Sequence, residues 1–335
     1  MTVDEKQLYY RLIALWAVCE GVLGGIIHGI NLPVSGLING GSAVIIVCLI
    51  AYYVPQKGAI IRATIIVAIF KMMLSPHSPL PAYFAVFFQG ITGELLFYSR
   101  KHYKFSCILF APLALVESAL QRILTMTILY GMDFWKAVNA FISGLSHQQS
   151  ITNYSLYLAG GYVFLHFVAG ISIGWIAGKI PGRVKGWRNE FLLELNTTSE
   201  PSSAPALKKR GKMKIALLVV WILLACLWFQ SELKIGNPLI PSNVAAHIIL
   251  RSVLIIMTWY FLISPVITYF LNKWLLKQRS KSQQSINEIL RILPQTQLVL
   301  NKSWQYSSNK KGFKRLNKFL KTILVNSLDI QNEKK

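Results

Sequence analysis

Acidic residues are scarce in this chain, with 13 Asp and Glu against 35 Lys and Arg over 335 residues and a formal net charge of +22. Charge of either sign makes up only 14% of the sequence, whereas 53% is hydrophobic and the mean hydropathy is +0.45. A water-soluble domain carries roughly a quarter of its residues as Asp, Glu, Lys and Arg. The shortage therefore argues against an ordinary soluble enzyme and for a chain embedded in a membrane. Cysteine is nearly as sparse. Cys19, Cys48, Cys107 and Cys226 each lie inside an apolar run, without CxxC spacing or flanking histidines, so they read as small buried hydrophobes rather than as metal ligands or a redox pair. There is no GxxxxGK[ST] phosphate loop, no HExxH pair and no DxxD-type metal pair. No catalytic residue and no resident cofactor or metal is expected, and energy or chemistry has to come from elsewhere.

What the chain has in abundance is apolar sequence. A helix needs about 20 apolar residues to cross the hydrocarbon core, and eight stretches approach this, at 8–30, 34–54, 59–75, 80–98, 105–131, 154–179, 214–230 and 244–272. The fold expected is an all-α polytopic membrane protein. Residues 1–180 would form a six-helix bundle, 181–213 a cytoplasmic linker rich in Ser, Pro and Thr, 214–272 two further spans, and 273–335 a basic cytoplasmic tail. The N-terminal MTVDEKQLYYR carries acids, and the apolar run after it exceeds a signal peptide's core and lacks a small-residue cleavage site, so it is expected to remain in the mature protein.

Charge placement gives the orientation. Residues 1–180 hold 11 Lys/Arg and 6 Asp/Glu, and residues 181–335 hold 24 and 7. With the N-terminus inside, the inner loops collect Lys57, Arg100, Lys101, Lys104 and the 183–212 cluster, while the outer loops keep only Lys136 and Lys234. Both termini are then cytoplasmic by the positive-inside rule, in a bacterial inner membrane. The basic excess is matched to an anionic leaflet, and nucleic acid is not an expected partner.

An ionisable group at bilayer depth is costly and marks a functional candidate. The stretch IFKMMLSPHSPLPAY places Lys71 and His77 between two apolar runs, and its prolines cannot continue a helix. A stiff outer hairpin is expected there. His28, Asn31, Lys71, His77, Tyr83 and Arg122 are the candidate substrate-binding residues, grouped toward the outer side. Snorkelling of Lys71 and Arg122 to the interface is the alternative. Glu20, Glu94, Glu117 and His166 are placed deeper, as interhelical polar contacts, ligands or a proton path, with structural pairing favoured. Small residues mark helix-packing faces at Gly21, Gly24 and Gly25 and at Gly170, Gly174 and Gly178, packed either within this chain or on a partner.

In the tail, Ile286, Ile289, Leu290 and Leu293 share one helical face that Pro294 is expected to interrupt. A second face joins Phe313, Leu316, Leu320, Ile323 and Leu324 opposite Lys314, Arg315, Lys318 and Lys321. An anionic lipid surface and a protein groove are both open as its partner.

The stretches CEGVLGGIIHGINLPVSGLINGG, KMMLSPHSPLPAYFAVFFQGITGELLF and AGGYVFLHFVAGISIGWIAGKIPGR, set in six apolar helices without an ATPase motif, resemble the substrate-binding S components of energy-coupling-factor (ECF) vitamin transporters. The likeness is one of layout and covers residues 1–180. The two later spans and basic tail are similar in outline to the last part of a T component. The resemblance implies uptake of a small nutrient, anionic or polar-aromatic, driven by ATP hydrolysed in separate ATP-binding cassette subunits, with a T component as a further partner and Leu316 and Leu320 as coupling contacts. A proton-coupled secondary transporter and a non-transporting scaffold or receptor are the rival expectations.

Overall fold

The computed structural model describes residues 2–23, 35–74, 78–99, 101–146, 153–193, 221–222, 224, 226 and 244–329. His28, Asn31, His77, Gly24, Gly25, residues 194–213 of the expected linker and most of the seventh apolar stretch lie outside these residues, whereas 181–191, expected as linker, continue the helix that begins at Tyr154. The described residues form helices, with no strand among them. In chain order they are α1 (Val3–Val18), continued by a π-helical turn (Cys19–Leu23), α2 (Ser35–Tyr53), α3 (Ala59–Leu74), α4 (Leu80–Leu96), α5 (Tyr103–Ser146) and α6 (Tyr154–Phe191). After the linker come α7 (Val244–Thr258), a second π-helical turn (Trp259–Ile263), α8 (Ser264–Lys281), α9 (Gln283–Tyr306) and α10 (Gly312–Leu328). Four helical segments, Gly36–Tyr53, Tyr103–Gly144, Tyr154–Phe191 and Ile249–Lys281, are long and apolar enough to cross a membrane. By the same measure α3 and α4, at 16 and 17 residues, fall short.

The chain folds as two compact units. Unit 1 comprises Met1–Ser118, Leu165–Pro201 and Asn272–Lys335, and unit 2 comprises Ala119–Phe164 and Ser202–Leu271. This grouping differs from the linear division at 180, 213 and 272, because it takes the tail into the same unit as the first helices and assigns parts of α5 and α6 to each unit. Contacts across the fold, not chain order, decide it.

The core of unit 1 is built around α1. Thr2 starts the helix with a reciprocal capping box: its hydroxyl accepts from the Glu5 amide at 3.2 Å, and its own amide donates to the Glu5 carboxylate at 2.9 Å. From Leu8 to Val18 every residue is buried, so α1 is enclosed on all sides rather than on one stripe. Part of that enclosure is the tail. α9 lays Ile286, Ile289, Leu293, Thr296, Val299 and Ser303 inward along its length, and the Tyr10 hydroxyl meets that of Ser285 at 3.2 Å. Pro294 does not interrupt this helix, which runs unbroken from Gln283 to Tyr306. The ring lies on the exposed side, where the carbonyl it leaves without a donor can meet water, and burial on both sides of it outweighs a cost of about 3 kcal/mol.

α10 is held by its C-terminal half. The Asn326 amide group donates to the Phe191 carbonyl at 2.9 Å and accepts from the Leu193 amide at 2.9 Å. Arg188 pairs with Asp329 at 2.7 Å, and buried Arg11 donates to the Asp329 carbonyl. The tail is thus docked on the middle of α1 and the end of α6.

In α5, Gly131 has φ of +73° and ψ of −174°, breaking the helix direction. The fifth apolar stretch ends at this residue. The segment after it, expected as an outer loop, is helical to Ser146, and the Trp135 indole donates to Thr127 across the break at 3.0 Å. Within unit 2, Ser252 of α7 donates to the Leu129 carbonyl at 3.0 Å. A side chain on Gly131 would lie 2.8 Å from the Arg251 guanidinium.

Candidate functional site: a buried ion pair in unit 1

Glu20 lies in the π-helical turn that ends α1, a local widening of the helix that recurs at functional positions. The turn packs on the end of α3, since a side chain on Gly21 would stand 3.1 Å from Leu74. That approach aligns Glu20 with Lys71 in the last turn of α3, where a cation is favoured by the helix dipole. Their side chains meet at 2.5 Å and are each only 3% exposed. The Asn39 amide of α2 adds a second hydrogen bond to the same carboxylate oxygen, at 3.1 Å.

Lys71 and Glu20 were assigned by sequence to different depths, Lys71 to an outer cationic group and Glu20 to a deeper acidic one. The structure joins them. A long lysine stem and a π turn bridge the separation that a linear reading of helix position assigns. Two further polar groups were not legible as site residues. The Asn39 Oδ1 and Gln89 Oε1 atoms are buried and have no hydrogen-bond partner among the described residues. Gln89 itself is 2% exposed, and its amide nitrogen is 3.8 Å from where a side chain on Gly40 would begin. α2 therefore offers Asn39 to the ion pair and, one residue on, a glycine to the Gln89 amide.

The other candidates are distributed. Tyr83 is buried on α4. Arg122, in unit 2, hydrogen-bonds with Tyr162. Glu94 is a capping group: its carboxylate accepts from the amides of Gly58 at 2.6 Å, Ile60 at 3.1 Å and Ile61 at 3.4 Å. These are the donors that the start of α3 leaves unsatisfied, so a capping role accounts for Glu94. Replacing it by Gln removes the negative charge from the helix N-terminus and one acceptor oxygen. A loss of about 1–2 kcal/mol is expected, read as a lower melting temperature of the purified protein in detergent, and an unchanged midpoint would contradict the capping role. At the same end of the unit, Lys57 donates to the Tyr98 hydroxyl at 3.0 Å and holds that phenol's pKa below its ordinary value.

Glu117 and His166 are both buried in unit 1. A side chain on Gly170 would strike the Pro112 backbone at 2.5 Å and one on Gly174 the Cys107 carbonyl. α5 and α6 are therefore antiparallel, with 112 opposite 170 and 107 opposite 174, and this register sets Glu117 level with His166. At Gly178 the approach relaxes to 3.4 Å from Lys104. The doubled GxxxG face is filled by this chain's own α5. Leu316 and Leu320 are exposed.

Among the described residues no group of three or more His, Cys, Asp or Glu side chains is arranged to hold a metal ion. No protein-family model matches the chain, and neither a curated protein nor a solved structure is detectably similar to it. Among the described residues, fold and site together define an all-α arrangement with four helical segments long and apolar enough to cross a membrane and an ion pair buried between the end of α1, α2 and α3.

Proposed function

We propose that this chain is the substrate-binding membrane subunit of an uptake system for a small polar nutrient, anionic or polar-aromatic, energised by separate ATPases as the resemblance to ECF S components implies. The observation that supports this reading is the Glu20–Lys71 pair. Burying both charges costs several kcal/mol per ion, and an apolar pair of similar volume is often as stable, so stability alone gives little reason to keep it. A solute bearing a carboxylate would compete with Glu20 for Lys71, while the Asn39 and Gln89 amides would supply neutral contacts.

The proton-driven rival draws on the same pair: protonating Glu20 would release Lys71. Uptake into intact cells separates the two. Metabolites that co-purify with the full-length protein in nanodiscs, and are lost from a folded Glu20→Leu, Lys71→Met variant that lacks the Lys71 cation, would supply the labelled substrate. Under the ATP-driven reading, depleting ATP with arsenate abolishes its uptake, while a protonophore applied at maintained ATP leaves it intact. The opposite pattern would replace this reading with the proton-driven one. If nothing co-purifies in a Lys71-dependent manner, the substrate-binding role is lost.

A further inference from the structure

α10 is amphipathic, but its two faces are placed the wrong way round for a helix resting on its own protein in water. The cations turn inward onto aromatic rings: Arg315 lies 4.0 Å from the Trp304 ring, Lys318 3.7 Å from Tyr306, and Lys321 5.2 Å from Trp187. The apolar edge turns outward. Phe313 is 81% exposed, Leu316 46% and Leu320 42%, whereas Ile323 and Leu324, next along the same edge, are buried. We propose that the first two turns of α10 lie in the headgroup layer of an anionic leaflet, with Phe313, Leu316 and Leu320 inserted among the acyl chains.

Charge and depth both favour lipid as the occupant. From Glu288 to Asp329 the chain has eight Lys and Arg and no intervening acid. Lys310, Lys311 and Lys314 are exposed beside the apolar edge, where each contributes on the order of 1 kcal/mol of attraction to an anionic membrane surface. Trp187 lies seven residues past Ile180, near the end of the apolar part of α6, or about 10 Å along the helix, a distance comparable to the headgroup layer beyond the hydrocarbon core. Trp304 and Tyr306, half-exposed at the edge of the patch, are residue types enriched at that interface. A helix docked on a protein anchored in the bilayer also meets lipid at high effective concentration.

The test uses the full-length chain in nanodiscs of phosphatidylcholine, with or without phosphatidylglycerol. Cys226→Ser removes the exposed native thiol, the other three being buried. Asn317→Cys then places a nitroxide on the exposed turn without removing an apolar anchor. In anionic discs the label should collide preferentially with oxygen, which partitions into lipid, rather than with a water-soluble nickel chelate. That preference should be lost in Lys310→Gln, Lys311→Gln, Lys314→Gln protein, whose exposed substitutions leave the packed half of α10 untouched. Nickel-dominated collision in anionic discs would overturn the proposal. So would a label shielded from both reagents in native membranes yet open to nickel in anionic discs, which would mean that a protein groove covers this face.

Discussion

Lys71→Met is expected to destabilise the protein by about 3–5 kcal/mol, because it leaves the Glu20 carboxylate buried without its counter-charge. The side chains are of similar length, so packing changes little and the loss reports the unpaired ion. The informative comparison is with Glu20→Leu, Lys71→Met, which removes both charges together. A buried pair exchanged for apolar residues is commonly near neutral, so the double variant should recover most of the melting temperature lost by the single one. If the pair serves substrate, this stable double variant should fold and yet retain none of the metabolite that co-purifies with the wild-type chain. Stability and binding are thereby separated in one set of proteins. Wild-type stability in the single Lys71→Met variant would show that Glu20 reaches water or another partner and that the pair is not a closed site.

Gly174→Leu is expected to unfold or strongly destabilise unit 1. Even the first carbon of a side chain there would lie 2.9 Å from the Ile108 Cα and closer still to the Cys107 carbonyl. Both are backbone atoms, so no rotamer change relieves the clash and the two helices must separate. Overpacking relieved by side-chain shifts costs about 1–3 kcal/mol, and a backbone collision should exceed that. Gly174→Ala should already be harmful, while Gly178→Ala, at a contact distance of 3.4 Å, should be tolerated. Fluorescence-detected size-exclusion profiles of heated detergent extracts check this ordering. If Gly174→Leu melts like the wild type but falls to a smaller assembly, the face belongs to a partner subunit instead of α5.

The sequence by itself determined the class of the fold. Apolar runs and few charges point to helices able to cross a bilayer, because backbone polar groups there must be satisfied locally. It also singled out the chemistry-bearing residues, since Glu20, Lys71, Glu94, Glu117 and His166 interrupt otherwise apolar helices. Their partners were not legible. Glu20 and Lys71 are 51 residues apart, and a π turn and an inter-helix approach at Gly21 decide that they meet. Glu94 looks in sequence like a mid-helix acid, and only the neighbouring start of α3 makes it a cap. Pro294 shows the limit of local rules: it reads as a helix stop, yet the buried stripe running through it along α1 holds the helix together. The tail shows the same limit on a larger scale. Periodicity gave α10 two faces, but which face turns outward was decided by Trp187, Trp304 and Tyr306, whose rings take the cations. That choice depends on contacts with other helices, the end of α9 for Arg315 and Lys318 and, more than a hundred residues away, α6 for Lys321, and no pattern within α10 encodes it.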